Sequence, residues 1–309
     1  MTGLNYRSMR DLTTAVLAWK PALQADTDLV VGVPRSGLLV ANLLALQLGV
    51  PMTDVDGLVA RRLLNNGHRS VRKVDLAGSA AVRVLVVDDM VETGATLERV
   101  RAAVAAAGLP HAVRYASVYV APGAEDRVDL YHEVLPTPRA LQWNVMQAPG
   151  LARCCVDIDG VLCADPTDRE NDDGERYRAF LRDAGPRVRT PVTVGWLVTN
   201  RLERYRSETE DWLARHGIRH GGLYMRDLPD AAARRESGEY GRHKAETYAA
   251  TGADLFIESD AWQAAEIAAL SGRPVFCTDT RRLVAPGDPP PARPGRIARR
   301  VTRLLRLPA

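Results

Sequence analysis

Short, β-branched apolar runs recur along the chain. Each is followed by a stretch in which apolar positions return every three or four residues. Runs of the first kind read as strands buried on both faces, and stretches of the second kind as helices laid over them. In the first half the expected strands are 28–33, 82–87 and 113–120. The expected helices there are 38–48 and 95–107, the second closed by Gly108 and Pro110. After Pro149 and Gly150 the pattern restarts, with strands at 153–158, 192–198, 255–257 and 274–277. Helices are expected between them at 174–184, 203–216, 240–250 and 261–270. The fold class is therefore α/β, with two domains over 1–148 and 149–288, each a mainly parallel sheet flanked by helices. A proline-rich linker, 286–294, leads into a basic tail over 289–309.

Composition agrees with a folded two-domain protein. The 309 residues are 46% hydrophobic and 26% charged, outside the range of disordered chains. No apolar run is long enough to span a bilayer, and the first residues lack the apolar core of a signal peptide. The four cysteines (Cys154, Cys155, Cys163 and Cys277) form no CxxC pair and read as reduced core thiols. These features point to the cytoplasm and away from a membrane. A net charge of +3 does not point to a nucleic-acid partner. The tail is locally basic, with Arg293, Arg296, Arg299, Arg300, Arg303 and Arg306. Ile297, Val301 and Leu304 fall between them as in a short amphipathic helix. Such a helix either packs its apolar stripe on the domain or meets an acidic, phosphate-rich partner.

The strand 82–87 runs into Asp88 and Asp89, then Glu92, Thr93, Gly94, Ala95 and Thr96, where a helix begins. Ligands of open α/β sheets sit at the carboxyl ends of strands. Adjacent carboxylates there can accept hydrogen bonds from paired ribose hydroxyls. The loop 93–96 can aim backbone N–H groups and two hydroxyls at a phosphate, and Gly94 permits close approach. At these residues, VLVVDDMVETGAT, the chain resembles the type I phosphoribosyltransferases, whose signature binds 5-phosphoribosyl-1-pyrophosphate (PRPP). Arg35, Ser36 and Gly37, after the first strand, resemble the family's pyrophosphate loop. Residues 61–73, with Arg61, Arg62, His68, Arg69, Arg72 and Lys73, stand where the family carries a mobile loop over its site. The resemblance covers about 28–122. It implies PRPP binding by Arg35, Ser36, Gly37, Asp88, Asp89, Glu92 through Thr96, Arg69 and Lys73. It also implies Mg2+ and transfer of a phosphoribosyl group to a small-molecule acceptor. The N-terminal helix and residues 136–147 are candidates for the hood that reads this acceptor. Trp143 either stacks on a flat acceptor or fills the core.

A second cluster follows the strand 153–156: Asp157, Ile158, Asp159 and Gly160. A carboxylate at a strand end can attack phosphorus, and an acid two residues on can protonate the leaving oxygen. Two anionic groups beside a phosphate call for a cation, so Mg2+ is implied. By itself DxDG also fits a calcium-type loop or a plain turn. Downstream, Thr199 and Asn200 end a strand, Lys244 lies on a helix, and Glu258, Ser259 and Asp260 end another strand. Taken in this order the residues resemble the haloacid dehalogenase superfamily of phosphatases, over about 153–278. The resemblance implies Asp157 as nucleophile and Asp159 as acid/base. Thr199, Asn200 and Lys244 then hold the phosphate, and Asp157, Asp159 and Glu258 or Asp260 hold the metal. No aspartate stands four residues after Glu258, so either acid fits the last position. The short spacing leaves room for no more than a minimal cap, with 165–189 as a flap.

The leading expectation is a bifunctional enzyme that transfers a phosphoribosyl group and then removes a phosphate. One alternative is a PRPP-sensing domain that controls the phosphatase or a nucleic-acid contact; another is an active phosphatase alone. Dimers are common in both families, so a homodimer is expected by analogy.

Overall fold

The computed structural model describes residues 3–64, 72–78 and 80–291. Arg69 and the arginine-rich tail lie outside the described residues. The chain divides into two compact units, Arg7–Trp143 and Met1–Tyr6 together with Asn144–Ala309.

The first unit is built on a five-stranded parallel sheet. Its order is Met52–Asp54, Leu29–Gly32, Arg83–Val91, Ala112–Val120, Leu130–Val134. The central strand Arg83–Val91 shows why a buried parallel strand reads as a continuous apolar run. Leu85 and Val87 enter one core, with Leu12, Val40 and Leu44, while Val84 and Val86 enter the other, with Leu97, Val100 and Val104. The helix Ser36–Leu48 covers the first face and Ala95–Ala106 the second. Met9–Ala18 begins in a capping box: Ser8 Oγ accepts from the Asp11 N–H at 3.2 Å, and Asp11 Oδ2 accepts from the Ser8 N–H at 2.8 Å. At the amino end of the sheet, Asp28 receives both Arg83 and Arg72. Arg72, grouped by sequence with the loop over the site, is thus tied to the opposite end of the sheet from Asp88.

The second unit has a six-stranded sheet ordered His220–Arg226, Val194–Leu202, Cys154–Val156, Leu255–Glu258, Val275–Cys277, Arg282–Val284. All neighbours are parallel except the last pair. The helices Tyr240–Thr251 and Ala261–Ser271 pack their apolar residues, including Tyr248, Ala264 and Ile267, against Phe256 and Val275. The expected helix 203–216 is instead a 3-10 turn, Glu203–Tyr205, followed by the α-helix Arg206–Arg215. All four cysteines are buried free thiols of this unit. Burial pushes the thiol of Cys155 up to about 12 and raises those of Cys154, Cys163 and Cys277. Among the described residues, no helix is long and apolar enough to cross a membrane.

Candidate functional sites

In the first unit, Asp88 and Asp89 stand near the carboxyl end of the central strand. The Asp89 N–H donates to Asp88 Oδ1 at 2.9 Å, and the Trp143 indole Nε1–H donates to Asp89 Oδ2 at 2.6 Å. Trp143 also stacks on Tyr119, with ring centroids 6.2 Å apart. Burial, and next the charge of Asp89, push the Asp88 carboxyl up to about 8. Each carboxylate keeps acceptor capacity beyond the one donor it receives.

Two glycines shape the backbone around this pair. A Cβ on Gly37 would sit 2.6 Å from the Val87 carbonyl and 3.1 Å from Asp88 Oδ1, so the turn carrying Arg35 and Ser36 presses directly on the carboxylate strand. Gly94 has φ of +78°, where a side chain would be strained, and it opens the helix Ala95–Ala106. Thr93 and Thr96 are exposed beside it. Thr93 Oγ1 accepts from the Ala95 N–H at 3.4 Å and Thr96 Oγ1 from Arg99 at 3.3 Å. The loop 93–96 therefore presents hydroxyls and a helix N-terminus to solvent within a few residues of the carboxylates. Glu92 pairs with Arg139 at 2.7 Å. Lys73 is exposed.

In the second unit, Asp157, Lys244 and Glu258 meet in the interior. Lys244 Nζ donates to Asp157 Oδ2 at 2.7 Å, to Glu258 Oε2 at 2.6 Å and to Gln263 Oε1 at 3.0 Å. Asn200 Nδ2 joins through the same Gln263 oxygen at 3.0 Å. Burial works against the Lys244 ammonium, but Asp157 and Glu258 outweigh it and keep it protonated. Asp157 is held well above the usual carboxylate range by burial, since one ammonium is shared between two acids. Thr199 is fully buried one residue before Asn200, and its Oγ1 accepts from the Arg201 N–H at 3.2 Å.

Asp159 turns to a partner that sequence reading missed. Arg201, wholly buried, donates from Nη2 to Asp159 Oδ1 at 2.7 Å and from Nε to Oδ2 at 3.1 Å. A signal was available: an arginine two positions after Thr199 in an apolar strand shares its face, and buried arginines are paired. Asp260 does not join the cluster. Its Oδ1 caps the helix Ala261–Ser271, accepting from the N–H groups of Trp262 and Gln263 at 2.8 Å. The flap region carries the helix Glu175–Asp183 and borders a cleft of about 560 Å³ lined in part by Asp165, Arg176 and Phe180.

Among the described residues, no three His, Cys, Asp or Glu side chains are gathered as a ready metal cage. The acids that converge, Asp157 and Glu258, are hard oxygen donors of the kind Mg2+ takes, and Lys244 supplies one positive charge between the two of them.

Open α/β sheets take their ligands at the carboxyl ends of their strands, and there this unit carries a carboxylate pair and a glycine-hinged loop. Residues 13–147 match the family model of the phosphoribosyl transferase domain, and this part of the chain carries that domain. The transcriptional regulator GfcR 1 of Methanosarcina barkeri is 30% identical over 95 residues, 31% of this chain and 46% of the relative. The chain thus spans about half the length of the curated relative it matches. Among solved structures, the Helicobacter pylori xanthine-guanine-hypoxanthine phosphoribosyltransferase is 17% identical with a TM-score of 0.35, over 46% of this chain and 93% of that one. The purine phosphoribosyltransferase of Pyrococcus horikoshii is 25% identical with a TM-score of 0.33, over 45% and 92% of the two chains.

Proposed function

We propose that the chain is a bifunctional enzyme: its first unit transfers a phosphoribosyl group from PRPP to a small acceptor, and its second hydrolyses a phosphate monoester. The observation that carries the first activity is the Asp88–Asp89 pair, beside the loop 93–96 and against Gly37. In this reading Asp88 and Asp89 accept from the ribose hydroxyls. Thr93, Gly94, Ala95 and Thr96 cradle the 5-phosphate, while Arg35, Ser36 and Gly37 hold the pyrophosphate, and Lys73 and Arg69 add positive charge to it. As pyrophosphate leaves, charge develops on its oxygens, and fixed N–H groups and cations stabilise it. Bound Mg2+ would add charge neutralisation at the pyrophosphate. In the same reading the Trp143 indole, which donates to Asp89 Oδ2, fixes that carboxylate in place for the sugar.

For the second unit the reading follows the haloacid dehalogenase pattern. Asp157 attacks phosphorus and the ester P–O bond breaks. Asp159 passes a proton to the leaving oxygen and then takes one from the water that cleaves the aspartyl-phosphate. Thr199, Asn200 and Lys244 would hold the phosphoryl oxygens, and Asp157, Asp159 and Glu258 would hold Mg2+, which would neutralise charge on the phosphoryl group; Asp260, engaged as a helix cap, is not among these ligands. Tethering the two activities raises the local concentration of any shared intermediate.

The test is incubation with PRPP, Mg2+ and a panel of nucleobase acceptors, following pyrophosphate and inorganic phosphate. Asp88→Asn should abolish pyrophosphate release alone and Asp157→Asn phosphate release alone. Absence of pyrophosphate release with every acceptor removes the transferase reading. Absence of phosphate release from every phosphate ester tried removes the phosphatase reading.

A second reading is favoured by the match to a protein named as a transcriptional regulator: the first unit binds PRPP as an effector. Saturable PRPP binding without turnover, together with salt-sensitive DNA affinity, distinguishes it.

A further inference from the structure

Arg201 and Arg226 lie at the carboxyl ends of two neighbouring strands of the second unit and Arg234 on the helix Ala231–Ser237; all three are buried, and their charges are not equally met. Arg201 has Asp159. Arg226 and Arg234 are 6% and 8% exposed, yet among the described residues neither forms an ion pair. Arg226 donates to the Glu239 carbonyl at 2.7 Å and to Ser237 Oγ at 3.1 Å. Arg234 donates from Nη1 to the Asn200 carbonyl at 3.0 Å and from Nη2 to Asn171 Oδ1 at 3.2 Å, and it also reaches the Tyr177 hydroxyl. Its Nε is buried with no acceptor, and Asn200 Oδ1 is buried with no donor. Asp173, the carboxylate that feels Arg234, is already engaged by Arg204, Tyr205 and the Ala231 N–H.

A buried guanidinium served only by neutral oxygens is an uncommon arrangement, because desolvating a charge without a counter-charge is costly. Its position adds to this. Arg234 binds the carbonyl of the residue after Thr199, and Asn200 is linked through Gln263 to Lys244 and thence to Asp157. The neutral Asn171 oxygen, on the loop before the helix Glu175–Asp183, occupies one prong of the guanidinium fork. An anion makes a stronger, charge-assisted bond at that prong than an amide can.

We propose that Arg234 is a subsite for a second anionic group on the substrate of this unit. Asn171 holds the place of that group until the substrate displaces it. The substrate class is then a phosphate monoester carrying another phosphate or a carboxylate. The assignment of a substrate rests on the phosphatase reading above; the anion subsite itself does not need turnover.

The experiment uses the full chain with Mg2+. Hydrolysis of p-nitrophenyl phosphate, lost in Asp157→Asn, reports the phosphoryl chemistry separately. Values of kcat/KM are then compared for glycerol 3-phosphate, 3-phosphoglycerate and fructose 1,6-bisphosphate in the wild type and Arg234→Gln. Loss of one charge-assisted bond should lower the preference for the doubly anionic substrates about tenfold. A drop for the bisphosphate only identifies a phosphate, and a drop for both identifies any second anion. An equal effect on all three substrates, or none, overturns the subsite. If p-nitrophenyl phosphate is not hydrolysed, the phosphatase reading fails, and calorimetric titration with fructose 1,6-bisphosphate decides the subsite: equal affinity in wild type and Arg234→Gln rejects it. Should Arg234→Gln not fold, Asn171→Asp supplies the second arm. Its carboxylate competes for Arg234 and should weaken the doubly anionic ligand about tenfold; unchanged binding rejects the proposal.

Discussion

Arg201 grips Asp159 with two nitrogens, Nη2 at 2.7 Å from Oδ1 and Nε at 3.1 Å from Oδ2, while its guanidinium is wholly shielded from solvent. Burial opposes the charge, and Asp159 more than restores it. Asp159→Asn leaves this guanidinium without a counter-charge and should destabilise the unit by about 3–5 kcal/mol. Denaturant midpoints measure this. Arg201→Met combined with Asp159→Asn should recover part of the loss, because the two changes are coupled. Strict additivity would show that the pair contributes nothing jointly.

Trp143→Phe keeps a ring against Tyr119 but deletes the donor to Asp89 Oδ2. A buried carboxylate that loses such a donor should cost about 1.5–3 kcal/mol. Thermal unfolding of the variant reads the change, and an unaltered midpoint would mean that Asp89 finds another donor.

Asp88 gives a pH dependence of definite sign. Its carboxyl titrates near 8 in the folded chain, against an unperturbed value of about 4 when unfolded. Between these values the unfolded chain has released the proton and the folded one has not. The contribution of Asp88 to stability is therefore complete below about 4 and is lost as pH rises to about 8. The difference in urea midpoint between wild type and Asp88→Asn should shift in favour of the variant across that window. A difference independent of pH would contradict the assignment.

Lys244 is the ammonium shared by Asp157 and Glu258. Lys244→Met leaves two buried acids with no cation and should cost about 3–5 kcal/mol. Added Mg2+ should raise the melting temperature of this variant more than that of the wild type, since two oxygen donors are then free for it. Equal Mg2+ responses would argue that the acids do not offer a divalent site.

How much of this was legible depended on whether a residue's partner lay near it in sequence. The strand Arg83–Val91 could be read because burial on both faces makes every position apolar. Met52–Asp54 could not, with only three residues, nor could His220–Arg226, an edge strand with two glycines. The convergence of Asp157, Lys244 and Glu258 follows from their places at strand ends and on a helix. Arg201 could not be read, because its partner is 42 residues away and an isolated arginine looks like a surface charge. The bond from Trp143 to Asp89 spans 54 residues and left the tryptophan's role open between hood and core. Asp260 was ambiguous for a different reason: an acid just before a helix serves equally as a cap or as a ligand, and here it caps.

The placement of the thiols has a practical use. Every cysteine belongs to the second unit, and each is enclosed and disfavoured as thiolate. Alkylating reagents need the thiolate, so in the native protein they meet an unreactive surface. The rate at which maleimide attaches to the intact chain therefore times the opening of one half of the molecule and ignores the other, without any engineered label.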